Sequence, residues 1–236
     1  MPLMYGIDMA YIVLVLPAMI LAMFAQTKVK TTFNRYSRVG NISGYTGADV
    51  AKRIMNLAGV HDVRVERVRG NLTDHYDPTQ KVLRLSDSVY DSKSVAAIGV
   101  AAHEVGHAIQ HNTGYSFLRF RHAIFPVANI ASRAAFPLII IGSIFSAGQN
   151  VSVLLNLGII FFAITVLFAI ITLPVEFNAS RRAMNILDAE GILVGDELNG
   201  ASKVLKAAAL TYVASAAVAI GQLLRLLVIF GGKRDD

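Results

Sequence analysis

Residues 151–173, VSVLLNLGIIFFAITVLFAIITL, run for 23 positions without a charge. A helix rises about 1.5 Å per residue, so about 20 apolar residues cross the hydrocarbon core of a bilayer. The run exceeds that length, and a soluble domain rarely has a core thick enough to hide such a helix on every side. The rest of the chain is therefore expected to be arranged around a membrane span.

Three further stretches share that character. Residues 9–25 (MAYIVLVLPAMILAMFA) are followed at once by Lys28 and Lys30. A cleaved signal peptide would carry a positive segment before its apolar run, whereas here Asp8 precedes it. Residues 134–147 (AAFPLIIIGSIFSA) are short unless the preceding PVANIAS joins them, with Arg133 turned inward or snorkelling. Residues 207–230 are apolar apart from Arg225 and rich in small residues that suit close helix packing. They read as a fourth span or as a helix half-buried against the others.

Lys and Arg gather beside cytoplasmic span ends. Lys28, Lys30, Arg35 and Arg38 follow the first span, Arg119, Arg121 and Arg133 approach the second, and Arg181, Arg182, Lys203 and Lys206 follow the third. The hydrophilic parts thus share the cytoplasmic face, while the SAGQN loop between spans two and three carries no charge. The terminal GGKRDD runs against this pattern, since four complete spans place it outside. The net charge of +6 is what anionic headgroups attract, and no aromatic-plus-basic motif for nucleic acid accompanies it. With no cysteine in the chain, any metal must be held by His and carboxylates.

Between spans one and two, residues 45–93 read as a small α+β unit. Thr46 with Asp49 forms a capping box ahead of Val50, Ile54 and Leu57 at helical spacing, and Gly59 ends that helix. Alternating patterns in HDVRVERV and in VLRLS (Val82–Ser86) imply two strands, for which a hairpin across the turn-rich NLTDHYDPTQ is one available pairing. Asp91 or Ser92 can then cap SVAAIGVAAHEVGHAIQH, a helix apolar on nearly all sides and so expected to be the buried centre of its domain.

That helix carries HEVGH. Residues four apart lie one turn up and about 40° around, so His103 and His107 can share one ion. Glu104 points beside them, where it can take a proton from water held by the metal. With 6 His among 236 residues, the HExxH pattern is expected by chance about 0.003 times in such a chain. On a buried helix, two histidines and a glutamate are costly unless something such as a metal partners them. A catalytic zinc usually has three protein ligands. The metzincin arrangement is excluded, because Thr113 stands where its third His belongs and Gln110 where its Gly belongs. His111 lies about 12 Å along the helix from His103, too far to share an ion with it. A carboxylate from another helix remains, and Glu176 in LPVEFNASRRA is best placed, with Pro174 suiting the start of a helix just below the long span. The bland alternative is an acid favoured by a helix N-terminus. Glu190 and Glu197 sit in a polar stretch that reads as solvated.

The combination of AAHEVGHAIQH, NLTDHYDP with VLRLS, and LPVEFNASRRA resembles the YugP-type family of bacterial membrane zinc metallopeptidases over nearly the whole chain. More distantly the layout is similar to the HtpX and CAAX prenyl protease group, where the HExxH helix is followed, after membrane spans, by an ExxxD motif. The resemblance implies Glu176 as third ligand. It also implies that the strand at Val82–Ser86 is an active-site edge onto which an extended substrate adds. One departure is that Ser180 stands at the Asp position of ExxxD. A second metal at Asp74, His75 and Asp77 is disfavoured, since Asp before Pro in a turn is ordinary chain chemistry. His75 or Tyr76 on one side, and Arg181 or Arg182 on the other, are candidates for contacting the substrate or its transition state.

The expected fold is mainly α: a polytopic helical membrane protein with a small cytoplasmic α+β zincin-like domain. The expected divisions are a transmembrane helix at 1–27, the metallopeptidase domain at 28–126, two transmembrane helices at 127–173, a cytoplasmic segment with Glu176 at 174–206, and a C-terminal transmembrane or membrane-packed helix at 207–236. The expected activity is that of a zinc endopeptidase in the bacterial plasma membrane, with one Zn2+ per chain and Glu104 as general base. Its site would face the cytoplasm and act on membrane or membrane-proximal proteins. Partners beyond substrate and lipid would be a second copy or another membrane protein. The rival from another class is a membrane adaptor with a structural metal site, which would need a fourth protein ligand such as His111, His75 or Glu190. A transporter is disfavoured, because the long span carries no ionisable residue.

Overall fold

Hydrophobic runs and helix caps set most of the elements. The computed structural model describes residues 8–145 and 153–231, so the SAGQN loop and most of the terminal GGKRDD lie outside the described residues. After a π-helical turn at Tyr11–Val15 come α1 (Leu16–Tyr36), α2 (Gly47–Leu57), β1 (Arg64–Val68), β2 (His75–Asp77) and β3 (Val82–Ser86). Then follow α3 (Val95–Asn112), α4 (Ser116–Phe145), α5 (Val153–Ala189) and α6 (Asp196–Gly231). Four described helices are long and apolar enough to cross a bilayer: Tyr11–Tyr36, Ser116–Phe145, Val153–Ala189 and Asp196–Gly231.

The helices are longer than the apolar runs within them. α4 holds Pro126 and Pro137 inside a single 30-residue helix, so PVANIAS does join the second apolar run in one helix, and Arg133 is exposed rather than turned inward. α5 does not restart at Pro174 but passes through it. Proline deletes one N–H, which a long packed helix tolerates. Glu176 is therefore an interior residue of α5, not an N-terminal acid. α6 opens at Asp196, so the DELNG stretch is its first turn. Glu197 there is not solvated: it is 9% exposed and accepts from the Ile42 N–H at 2.7 Å.

The chain divides into two compact units, one of residues 26–119 and 174–210, the other of residues 1–25, 120–173 and 211–236. The first is built around α3, whose Val95, Ala96, Ala97, Ile98, Ala101, Ala102 and Val105 are all 0% exposed. Its N-cap is Ser94, accepting from the Ala97 N–H at 3.2 Å, rather than Asp91 or Ser92. Ser92 instead donates to the Ser94 hydroxyl. The capping box of Thr46 and Asp49 on α2 is present as expected, and Gly59 follows the helix at φ +67°. Gly106 is required by proximity. A Cβ there would lie 2.6 Å from the Ala179 carbonyl oxygen of α5, so α3 and α5 touch backbone to backbone.

The sheet departs from expectation. Its order is β1-β3-β2, with β1 parallel and β2 antiparallel to β3. The hairpin joins β2 to β3, and β1 and β3 are not its two arms. The reason is the Asp77 side chain, which accepts from the Thr79 and Gln80 N–H groups at 2.9 and 3.0 Å and closes the turn. β3 is thus the central strand, with Val82, Leu83 and Leu85 all 0% exposed. Both its edges are taken, so it is not an edge onto which a substrate can add. β1 and β2 hold the outer positions.

The second unit buries Ala135, Ile139, Leu155, Phe162, Val166 and Leu226. Phe136 and Phe162 meet edge to face at 5.5 Å. α6 lies against the start of the chain, where Gly221 leaves room for the Leu14 carbonyl. Close by, both Nε and Nη2 of Arg225 donate to Asp8 Oδ2, at 3.0 and 2.7 Å. The one charge in the last apolar stretch is therefore matched by an acid ahead of the first.

Candidate metal centre

A packed helix can afford polar side chains only where their atoms are partnered. α3 and α5 each place such groups on the faces they turn toward one another. HEVGH lies on α3 with His103, Glu104 and His107 half-buried, and Glu176 on α5 is 3% exposed. Glu176 Oε2 lies 3.3 Å from His103 Nε2 and 3.6 Å from His107 Nε2. That oxygen is buried and has no hydrogen-bond partner. The three donor atoms all lie within 4.8 Å of one another, and among the described residues no other group of His and carboxylates gathers so closely.

The spacing fits a metal. Ligand atoms about 2.0–2.1 Å from a tetrahedral zinc are separated by roughly 3.3–3.4 Å, close to the 3.3 and 3.6 Å found here. A buried carboxylate oxygen without a donor, opposite two imidazole nitrogens, is the site's clearest demand for a cation. Electrostatics agree. Burial alone pushes the His107 imidazole toward its neutral form, but Glu176 and Glu104 outweigh it and raise its pKa above the ordinary histidine value. The negative field that favours a proton there favours a metal ion equally, and the two compete.

The other ring nitrogens are tied from behind, and the polarity of those ties can be deduced. The Arg182 Nε–H can only donate, so the Asn178 oxygen at 2.8 Å accepts. Gln110, 0% exposed, must then turn its NH2 toward that oxygen at 3.0 Å and toward the Val175 carbonyl at 2.8 Å. Its remaining oxygen, 3.0 Å from His107 Nδ1, can only accept. His107 therefore carries its hydrogen on Nδ1, which leaves the Nε2 lone pair free toward Glu176. His103 Nδ1 lies 3.1 Å from the Ser180 hydroxyl, so the serine at the Asp position of ExxxD keeps a contact to the histidine. Gln110 and Asn178 are the site residues that sequence reasoning missed. A glutamine on the all-round buried face of α3 was the available signal, since a buried amide needs partners.

The remaining candidates stand outside the three-residue cluster. Tyr76 Oη is 2.7 Å from His111 Nδ1, so His111 faces β2 and stands apart from the three-residue cluster. His75 is exposed, its Nδ1 2.8 Å from the Thr73 carbonyl. Arg182 is half-buried with its guanidinium 5.9 Å from the Tyr115 ring centroid, while Arg181 is exposed. Asp74 accepts from the Ser86 N–H and hydroxyl at 2.7 and 2.9 Å, and its burial raises its pKa. With Asp77 closing the β2–β3 turn, both acids of DHYD serve the chain and leave no second metal cluster among the described residues.

Residues 11–231 match the family model described as "Putative neutral zinc metallopeptidase". A relative from Bacillus subtilis (strain 168), named "Putative membrane protease YugP", is 52% identical over 228 residues, covering 97% of this chain and 100% of the relative. No solved structure matches. A match of this length, on a chain whose α3 and α5 bring two imidazoles and a buried carboxylate together, places the protein in the YugP-like family of membrane zinc metallopeptidases.

Proposed function

We propose that the chain is a zinc endopeptidase of the bacterial plasma membrane that cleaves membrane or membrane-proximal proteins, with one zinc ion held by His103, His107 and Glu176. The observation that carries this reading is the buried Glu176 oxygen that lacks a hydrogen bond and faces two Nε2 atoms at 3.3 and 3.6 Å. Bound there, zinc would bring the pKa of a water near 7 and polarise the scissile carbonyl. Glu104, beside His103 on α3, takes a proton from the attacking water and passes it to the departing amine nitrogen. Ser180 and Gln110 hold the two imidazoles so that neither ring has to reorient during turnover. The donor count favours catalysis over a structural site, which is usually closed by a fourth protein ligand. Among the described residues only three donors converge, His111 is engaged by Tyr76, and Glu190 is exposed.

The location on the cytoplasmic side rests on the Lys and Arg beside the span ends. The Asp8–Arg225 pair supports an even number of crossings, because it sets the start of the first apolar helix beside the far part of the last. The test uses the full chain in detergent. Glu104→Gln should lower proteolysis by about 10²–10⁴-fold while zinc stays near one per chain. Glu176→Ala should lose zinc on dialysis against a weak chelator. Full activity in Glu104→Gln, or undiminished zinc in Glu176→Ala, refutes the assignment.

A further inference from the structure

Three of the four DHYD side chains bond to strand and turn backbone. Asp74 is fixed to Ser86 through two hydrogen bonds. His75 is turned to the Thr73 carbonyl, and Asp77 caps the turn that leads to β3. Tyr76 reaches out of the sheet to α3, where its hydroxyl oxygen lies 2.7 Å from His111 Nδ1 and the two rings are 5.8 Å apart. His111 stands one turn beyond His107, about 6 Å along α3 and about 40° around it. The phenol is therefore held on the flank of the metal-binding helix, at the next turn from the ligands. It is half-buried, and that burial, with the charges of Asp62 and Asp77, pushes its pKa up to about 12. It stays a neutral O–H donor at any working pH.

Resting on the peptidase reading, we propose that Tyr76 is a further catalytic residue, its hydroxyl donating a hydrogen bond to the carbonyl oxygen of the peptide bond being cleaved. His111 is the positioning residue that aims it. In the tautomer that carries its hydrogen on Nδ1, which the proposal assigns to the active protein, His111 donates to the phenol oxygen and leaves the phenol proton free for the substrate. Charge builds on that carbonyl oxygen when water adds, and a fixed donor there lowers the barrier more than it aids substrate binding. β2, which carries Tyr76, is also an outer strand of the sheet. An extended substrate paired to its open edge would run past the phenol.

The zinc-loaded full-length protein is tested with two probes, fluorescein-labelled casein for turnover and a phosphinic peptide, which copies the tetrahedral state, for binding. Tyr76→Phe should lower kcat by about 10²-fold with KM nearly unchanged. It should weaken the phosphinic peptide at least about tenfold and leave acetohydroxamate, a bare zinc chelator, unaffected. His111→Ala should lower kcat about tenfold, and His111→Asn, whose amide N–H can replace Nδ1–H, should restore most of it. A tie between β2 and α3 without a catalytic part would lower the melting temperature but leave kcat and phosphinic binding within about twofold of the parent, and that result overturns the proposal. If Glu104→Gln, assayed in parallel, remains active, it is the peptidase reading that fails. Phosphinic binding then judges Tyr76 by itself.

Discussion

Gln110 shows how much one amide can decide. Its NH2 is committed to Val175 and Asn178, so its oxygen holds the His107 hydrogen on Nδ1 and leaves Nε2 to a metal. Gln110→Ala removes that acceptor, and zinc affinity should fall about 10–100-fold, measured by competition with a chromogenic chelator. Ser180→Asp should go the other way by a few fold, since a carboxylate accepts from His103 Nδ1–H more strongly than a hydroxyl. A Ser180→Asp protein that bound zinc more weakly would show that the pocket has adapted to serine.

The meeting of α3 and α5 depends on a missing side chain. A Cβ on Gly106 would press on the Ala179 carbonyl at 2.6 Å, and backbone cannot step aside as a flexible side chain can. Gly106→Ala should push the helices apart, costing about 1–3 kcal/mol of stability and loosening zinc at the same time. Normal zinc affinity in that variant would mean that the ligands follow the helix. At α2 the stabilising group is titratable. Thr46 holds the Asp49 carboxyl below its ordinary value through its hydroxyl and its N–H. A carboxyl depressed in the folded state stabilises it above the unfolded value of 3.8 and loses that contribution as pH falls through the folded value. Thr46→Ala should therefore cost about 1 kcal/mol at pH 7, read from chemical denaturation, and the difference should shrink below pH 4 as Asp49 takes up its proton.

For the molecule as a whole, the question is which way the chain faces. The chain contains no cysteine, so single introduced thiols report sidedness directly. Gly231→Cys should react with an impermeant maleimide from outside intact cells, and Asp91→Cys only after they are opened. The reverse pattern would place the metal centre outside. The clasp between Asp8 and Arg225 should show a coupling of about 1–3 kcal/mol in a double-mutant cycle, with the exchanged pair, Asp8→Arg with Arg225→Asp, more stable than either single change.

The residues alone determined a great deal. Uncharged runs, HEVGH, the Thr46–Asp49 box and the small residues of the last helix are local patterns, and local patterns survive translation into structure because helix periodicity and burial act within a few turns. LPVEFNASRRA also singled out Glu176, which lies beside the two histidines, although the helix start at Pro174 on which its placement leaned is absent. What the sequence did not decide depends on contacts between distant segments. The strand order was one such feature: alternation marks a strand without naming its partner, and a turn closed by Asp77 set β3 between β1 and β2. The continuation of α5 through Pro174 was another, as was the burial of Glu197 against Ile42. The Arg182–Asn178–Gln110–His107 chain, which sets where a proton sits, required residues 65 and 68 positions apart, on two different helices, to be packed close enough for their amides to meet. Hydrogen bonds across such distances belong to the packed fold, because only packing brings the groups together and excludes the water that would otherwise satisfy them.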